Sequence, residues 1–303
     1  MVNRPVWGSA YIARVCLCLP AVLAVLLLPN TVVAQAPLPA EDPNAYRSIS
    51  ERAAALVQAR SAAVPCTGGR GALRVVNTPA ADAYKRGIQY VWVQLPKACA
   101  SFRVAMVEAS GDIVRLFHQH AGDAAIVASG GFRSRQQRLA EGLHISRAAP
   151  VRPRAQWTDR GQPAGGFVAQ AAHGVQVLPA STADTALSQH AEVLQSKPVL
   201  LQSGRLAIAS DDFARGNRVA VLVGRGGEVG VLGVFGPVPS GFSLYELALL
   251  AREVAQRARL DEADAINLEG GPGAQIHLPG LNKSFGVFGE REIASVSLFG
   301  HRP

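Results

Sequence analysis

This chain of 303 residues has few cysteines and few aromatic residues, and its one strongly apolar run is short. The run, Val15–Leu28, covers about fourteen residues, whereas a membrane-spanning helix needs roughly twenty. Arg4 and Arg14 precede it and small residues follow it, which is typical of a secretory signal peptide over residues 1–36. We therefore predict a periplasmic or secreted protein with no stable transmembrane anchor after signal cleavage. An uncleaved anchor is the alternative.

Only two cysteines, Cys66 and Cys99, remain once this leader is removed. Because an exported chain matures in an oxidising compartment, we predict a disulfide between them that staples the N-terminal part of the fold. Two free buried thiols are the alternative, and neither state makes a metal site. His118 and His120 are close in sequence, but no acidic residue adjoins them, so we interpret both as solvent-exposed. We predict neither a metal nor a cofactor.

The features of nucleic-acid-binding proteins are missing as well. The formal charge of +8 falls to +6 without Arg4 and Arg14, and the basic residues are scattered rather than massed on a basic helix with stacking aromatics. We therefore expect no nucleic-acid partner. A positive surface favours anionic partners, so we predict a phosphate-bearing glycan or a cell-envelope polymer, with a membrane surface as the alternative.

The composition is that of a globular protein, with 49% hydrophobic and 17% charged residues. Residues 37–65 are predicted to form a Pro-rich tether followed by a helix over 44–63. Residues 66–303 are predicted to form the remaining domain, without internal repeats. The predicted fold class is α+β, a single domain with a strand-rich mixed sheet core and a few packed helices.

Short apolar runs bounded by Gly, Pro and Asp predict the strands of this domain. They lie at 72–76, 90–95, 102–107, 112–117, 124–128, 166–169, 174–178, 199–202, 205–209, 219–224, 229–235 and 265–268. Turn-rich sequences at 202–205 and 224–227 predict hairpins. One long helix is predicted over 243–260. The segments 147–163 and 180–195 are interpreted as surface loops.

The segment Ala265–Gln275 joins a short apolar strand to a glycine-rich turn and carries one acid, Glu269, at the strand end. Gly270, Gly271 and Gly273 tolerate backbone conformations closed to other residues and let a ligand approach the main chain. The segment therefore suits a binding turn. An ordinary loop with an exposed acid is the alternative interpretation.

The order of six short motifs along the chain is more informative than any one of them. They are Ile126-Val127-Ala128-Ser129-Gly130-Gly131-Phe132, Glu141-Gly142-Leu143-His144-Ile145-Ser146, Leu194-Gln195-Ser196-Lys197-Pro198-Val199-Leu200-Leu201-Gln202-Ser203-Gly204, Asn217-Arg218-Val219-Ala220-Val221, Gly241-Phe242-Ser243-Leu244-Tyr245-Glu246-Leu247-Ala248 and Ile266-Asn267-Leu268-Glu269-Gly270-Gly271-Pro272. In this order, over roughly residues 70–300, the chain resembles the phosphodiester glycosidase family. The resemblance implies the family's fold and the release of a sugar from a phosphodiester-linked glycan.

The resemblance also implies roles for individual residues. Arg218 would bind the phosphate, and Glu269, where the family has Asp, would serve the anomeric carbon as base, nucleophile or stabiliser of an oxocarbenium ion. Because a phosphate monoester is a good leaving group, a second carboxylate acting as an acid is less needed. The residues that would shape the substrate pocket are Ser129, Gly130, Gly131, Asn267, Gly270, Gly271 and His144.

Three motif positions depart from the family pattern. Ser129 stands where the family has Asn, Glu269 stands for Asp, and Gly273 stands where a Ser follows the double glycine. These departures favour, as an alternative function, a catalytically impaired member that binds anionic glycan or cell-wall polymer. A third hypothesis is an envelope assembly protein without a functional pocket. A serine-hydrolase nucleophile at Ser129 is disfavoured, because Val127 replaces the first glycine of that motif.

Overall fold

The computed structural model describes residues 43–78, 87–106, 122–134, 139–159, 162–211, 214–236, 241–286, 293 and 295–301. Several expectations fall outside these ranges. They are the signal peptide over 1–36, most of the tether, the strand over 112–117, and the histidines His118 and His120.

The described chain is rich in strands and contains few helices. The helices are α1 (Pro43–Gln58), α2 (Asp184–Leu187) and α3 (Leu244–Arg257). The strands are β1 Ala62–Cys66, β2 Gly69–Asn77, β3 Gln89–Leu95, β4 Phe102–Met106, β5 Ala124–Ser129, β6 His144–Ser146, β7 Ala149–Arg152, β8 Thr158–Asp159, β9 Gln162–Pro163, β10 Gly166–Ala171, β11 Gly174–Pro179, β12 Glu192–Ser196, β13 Val199–Gln202, β14 Arg205–Leu206, β15 Arg218–Val223, β16 Val229–Phe235, β17 Asp264–Gly270, β18 Gln275–Leu278, β19 Lys283–Gly286 and β20 Ser295–His301.

These strands form one large sheet and three smaller ones. The large sheet has eight strands in the order β1-β2-β3-β16-β15-β17-β13-β14. Two five-stranded sheets have the orders β11-β10-β12-β6-β7 and β19-β18-β5-β20-β4, and β8 pairs with β9. β15 and β17 are interior strands of the large sheet. Alternate residues of each strand are buried in the cores on the two faces of the sheet.

Helices cover one face of the eight-stranded sheet. Ile49, Ala53 and Leu56 recur at helical spacing on α1 and are buried with Leu247 and Val254 of α3. The α3 helix starts as the sequence predicts, since Ser243 accepts a hydrogen bond from the Glu246 amide and the Glu246 carboxylate accepts one from the Ser243 amide. The opposite face of the sheet packs against the two five-stranded sheets.

The predicted strand-rich fold with a few packed helices is confirmed, but its sheets are antiparallel rather than mixed. Every pairing between described strands is antiparallel. Parallel neighbours require crossover connections, usually helical, and the chain supplies few helices. Both predicted hairpins are present, β13–β14 around Ser203 and Gly204 and β15–β16 around 224–228.

Three predicted segments have a different structure. The predicted loop over 147–163 contains the short strands β7, β8 and β9. The first helix ends at Gln58 rather than Ala63, because Ala62–Cys66 forms the edge strand β1, where Pro65 is tolerated. The predicted loop over 180–195 contains the start of β12, a buried interior strand. Its polar residues are accommodated by hydrogen bonds. The Glu192 carboxylate, for example, accepts from the amides of Val104 and Arg147 at 3.0 Å each.

The predicted disulfide between Cys66 and Cys99 is present. It joins the end of β1 to the short 3-10 helix Lys97–Cys99, across 33 residues of sequence. Among the described helices, none combines the length and the apolar character needed to cross a membrane.

A buried hydrogen-bond network links the two five-stranded sheets through His144. Its Nδ1 lies 2.8 Å from the carbonyl oxygen of Gly142, which fixes the proton on that nitrogen, and its Nε2 lies 3.1 Å from the Ser295 hydroxyl. The same hydroxyl accepts from the Gly131 amide at 3.1 Å. Burial lowers the pKa of His144 from 6.5 to about 4. The imidazole is therefore neutral at physiological pH.

We predict that His144 makes the fold sensitive to acid. In the unfolded chain its imidazole is protonated below pH 6.5, whereas the folded protein resists protonation until about pH 4, so stability is lost as pH falls through this window. The difference corresponds to roughly 3 kcal/mol. Urea unfolding should show the free energy of unfolding of wild type declining over this range more steeply than that of His144→Gln. His173→Gln, at an exposed histidine, is the control. Parallel profiles for wild type and His144→Gln would refute the assignment.

Candidate active site

The glycine-rich motif lies where the first residue of β15 pairs with the last residue of β17. Both are interior strands of the large sheet. β15 and β17 pair antiparallel, so that Arg218 is opposite Gly270 and Val219 is opposite Glu269. The register shifts between Val219 and Ala220, which leaves Leu268 as an extra residue on β17. A bulge of this kind changes the direction of neighbouring side chains and is common beside functional sites. Glu269 is thus a strand residue and not part of the turn that follows.

An open cleft of about 620 Å³ lies over these strand ends. Its lining comprises one carboxylate, three arginines, an aromatic ring, a proline and four glycines. They are Glu269, Arg133, Arg215, Arg218, Phe132, Pro272, Gly216, Gly270, Gly271 and Gly273. Because arginines outnumber carboxylates in this lining, the cleft suits an anionic ligand. Planar guanidinium groups bind two oxygens of a phosphate or carboxylate at once.

Main-chain carbonyl groups hold the guanidinium of Arg218. Its Nε donates to the carbonyl of Phe242 at 3.0 Å and its Nη2 to that of Ala214 at 2.6 Å. The remaining terminal nitrogen, Nη1, lies where a Cβ atom at Gly270 would stand. Gly270 is extended, with φ −140° and ψ 173°, so it is glycine for lack of space and not for conformation. The guanidinium therefore lies across the turn, against the cleft.

The Glu269 side chain is 8% exposed, and its carboxylate is close to the main chain of the turn. Oε1 accepts a hydrogen bond from the amide of Gly270 at 2.8 Å. A Cβ atom at Gly273 would lie 3.1 Å from Cγ and 3.3 Å from Cδ of Glu269. Gly273 therefore leaves room for the Glu269 side chain. Positions 269 and 273 are in contact, which their spacing in the sequence does not show.

Two of the cleft arginines, Arg133 and Arg215, were not among the residues predicted from the sequence. Arg215 donates from Nη2 to Glu246 at 2.6 Å and from Nη1 to the carbonyl of Gly241 at 3.1 Å. Because Glu246 also belongs to the capping box, the start of α3 orients Arg215. Arg133 directly follows the Gly130-Gly131-Phe132 turn. Both residues stand next to motifs of the family in the sequence. Their position beside those motifs is the only sequence feature that could have marked them as cleft residues.

The remaining predicted pocket residues are buried beneath the cleft and do not line it. The Ser129 hydroxyl donates to the carbonyl of Gln275 at 3.1 Å and accepts from its amide at 2.7 Å. Asn267 is buried, and its Nδ2 donates to the carbonyl of Lys197 at 2.9 Å. His144 belongs to the network with Ser295 described above.

Gly130 and Gly131 belong to this buried support. Both are glycines because of contacts. A Cβ atom at Gly130 would lie 2.8 Å from the Ser295 carbonyl carbon, and one at Gly131 would lie 2.8 Å from the carbonyl oxygen of Gln195. In the described part of the chain, no three His, Cys, Asp or Glu side chains converge as a metal site would require.

A profile of the phosphodiester glycosidase family matches residues 122–299, more than half of the chain. The protein is also similar to the solved catalytic domain of zebrafish N-acetylglucosamine-1-phosphodiester alpha-N-acetylglucosaminidase, auto-inhibited by its pro-peptide. The TM-score is 0.57 at 16% identity, over 80% of this chain and 88% of that chain. A hypothetical protein from Synechocystis is similar with a TM-score of 0.53 at 15% identity, over 77% of this chain and 62% of that one.

At these identities the structural similarities show a common fold and nothing further about chemistry. No curated protein sequence matches the chain significantly. The profile match includes β15 and β17, the glycine-rich turn and the arginines of the cleft. On this evidence the chain belongs to the phosphodiester glycosidase family.

Proposed function

We propose that this protein is an exported glycoside hydrolase that releases a sugar from a phosphodiester-linked glycan. The observation that carries the proposal is that Glu269 and Arg218 line one open cleft from adjacent, paired strands. Membership of the phosphodiester glycosidase family supports the class of reaction. The name of the zebrafish structural relative, an N-acetylglucosaminidase acting on a 1-phosphodiester, indicates the kind of substrate to test first.

In this proposal Arg218 binds a non-bridging oxygen of the phosphodiester. Its side chain cannot lose its charge at physiological pH, and its hydrogen bonds to Phe242 and Ala214 fix it before a ligand arrives. Arg215, oriented by Glu246, adds positive charge to the same wall. Such groups stabilise the negative charge that builds up on the departing phosphate.

Hydrolysis then breaks the bond between the anomeric carbon and the bridging oxygen. The phosphate monoester leaves with the bonding electron pair, and a water oxygen forms the new bond to the anomeric carbon. Glu269 takes the proton released by the water, or first stabilises the positive charge on the sugar ring. Within the described lining Glu269 is the one carboxylate, which is consistent with a leaving group that needs no protonation.

The buried residues Ser129, Asn267 and His144 support this site indirectly. Ser129 joins β5 to Gln275, and Asn267 joins β17 to the chain at Lys197, so both fix the backbone next to the cleft. His144 holds Ser295, on which Gly130 and Gly131 pack. In this proposal they position the turns and do not touch the substrate.

One observation favours a second candidate, a glycan-binding protein without turnover. The hydrogen bond from the Gly270 amide turns the carboxylate of Glu269 back towards its own strand. In this second candidate the carboxylate binds hydroxyl groups of the glycan and does not reach an anomeric carbon. In both proposals the protein acts in the periplasm or outside the cell. The leader-like sequence over 1–36 and the disulfide Cys66–Cys99 support this location.

Glu269→Gln should abolish turnover while preserving the fold. The amide is nearly isosteric with the carboxylate and can still accept from Gly270, but it cannot take a proton, so we expect kcat to fall about 10²- to 10⁴-fold. The measurement is release of free N-acetylglucosamine from its 1-(methyl phosphate) diester. Glu262→Gln, at an exposed acid two residues before β17, is the matched control. Retained activity in Glu269→Gln would remove its catalytic role. Saturable binding without turnover in wild type would favour the glycan-binding function.

Gly273→Ala should lower kcat because the added methyl group pushes on the Glu269 side chain. A displacement of about 1 Å can cost about a hundredfold in rate. Replacing the acid removes the group on which this contact acts, so we expect the double variant Glu269→Gln/Gly273→Ala to lose less activity than the two single effects combined predict. Gly122→Ala is the control, since nothing lies within 4 Å of that position. Purely additive effects would show that Gly273 does not act through Glu269.

A further inference from the structure

Beside the cleft, three side chains from separate parts of the chain form a cluster that the proposed reaction does not use. These are Phe132, Trp157 and Lys197, here called the rim cluster. The rings of Phe132 and Trp157 meet edge to face, with centroids 6.0 Å apart and planes at 79°. The Lys197 ammonium lies 4.7 Å from the Trp157 centroid and 5.7 Å from that of Phe132. All three are partly exposed, and Phe132 also lines the cleft.

The rim cluster is fixed by buried contacts. Gln195 holds the segment before Trp157, because its Oε1 accepts from the Ala155 amide and its Nε2 donates to the Ala155 carbonyl, both at 2.9 Å. The Trp157 ring packs against Gly142, where a Cβ atom would lie 3.1 Å from the ring. Because the rings are already held in place, binding a ligand to them would cost little side-chain conformational entropy.

Lys197 is fixed relative to the acid of the cleft. Its carbonyl accepts from the side chain of Asn267, which lies two residues before Glu269 on β17. Thus β17 carries Glu269 and also holds the main chain of Lys197 through Asn267.

The Lys197 ammonium has no ion-pair partner among the described residues, where the ion pairs all involve arginine. Two aromatic faces hold it instead, through attraction between the cation and the ring electrons. An ammonium group with three donors and no carboxylate partner is suited to an anion. The adjoining rings offer an apolar surface of the kind that binds the C–H face of a sugar.

We propose that the rim cluster is a second subsite, which binds a sugar carrying its own phosphate on the leaving-group side of the scissile diester. The aromatic rings contact the sugar, and Lys197 binds the second phosphate. This inference rests on the proposed function and deepens it. The substrate becomes a glycan with repeated phosphodiester links, in place of an isolated sugar 1-phosphodiester.

Binding measurements by calorimetry test the subsite separately from turnover, with Glu269→Gln as the background so that ligands persist. Three probes are compared: a sugar 1-(methyl phosphate) diester, the same diester to a second sugar, and that ligand with a phosphate on the second sugar. We expect the third probe to bind at least tenfold more tightly than the second, because a charge-assisted hydrogen bond forms with Lys197. Lys197→Met should remove this gain and Lys197→Arg should retain it.

Trp157→Ala should reduce the affinity for both sugar-containing aglycones relative to the methyl diester. Lys283→Met, at an exposed lysine on β19, is the matched control and should leave all three affinities unchanged. Equal affinities for the three probes, or a phosphate gain that survives Lys197→Met, would overturn the subsite. Failure of all three to bind would overturn the subsite and the proposed function together. If the probes bind with the expected affinities but wild type does not turn them over, only the hydrolase proposal would be refuted.

Discussion

The pairing of β15 with β17 inside the eight-stranded sheet is the constraint on which the site depends. Apolar side chains on both faces of these strands fix their register, because a slip of one residue would turn buried groups towards the opposite face. Arg218 and Glu269 stand at the ends of the two strands and inherit their positions from that register. The one bulge in the ladder lies next to the acid, where it changes the direction of Glu269 without disturbing the core.

Close packing at two glycine positions shapes the cleft. Gly270 gives space to the guanidinium of Arg218, and Gly273 gives space to the side chain of Glu269. A side chain at either position would displace a functional group, because its Cβ atom would press on Arg218 or on Glu269. The two motif positions that depart from the family pattern, 269 and 273, are therefore in contact with each other. Considered separately, each suggested an impaired site.

Buried polar side chains connect the sheets around this centre. Glu192 and Gln195 of β12 bond to the main chain of neighbouring segments, which explains why a polar sequence forms an interior strand. Gln195 fixes the segment that carries Trp157, and the Ser295 hydroxyl connects His144 with the turn at Gly131. A group buried without a partner costs about 1 to 3 kcal/mol, so such networks fix geometry when complete.

The sequence by itself determined the elements with strong local signals. Alternating or continuous apolar runs gave most strands, the capping box at Ser243 gave the start of α3, and two remaining cysteines gave the disulfide. The motif order identified the family, and with it Arg218 and Glu269 as a pair. Local patterns could not give the places of Arg133, Arg215 or Trp157. Nor could they show that Ser129, Asn267 and His144 are buried. Those facts depend on contacts between residues distant in sequence, and only the tertiary packing of the sheets decided them.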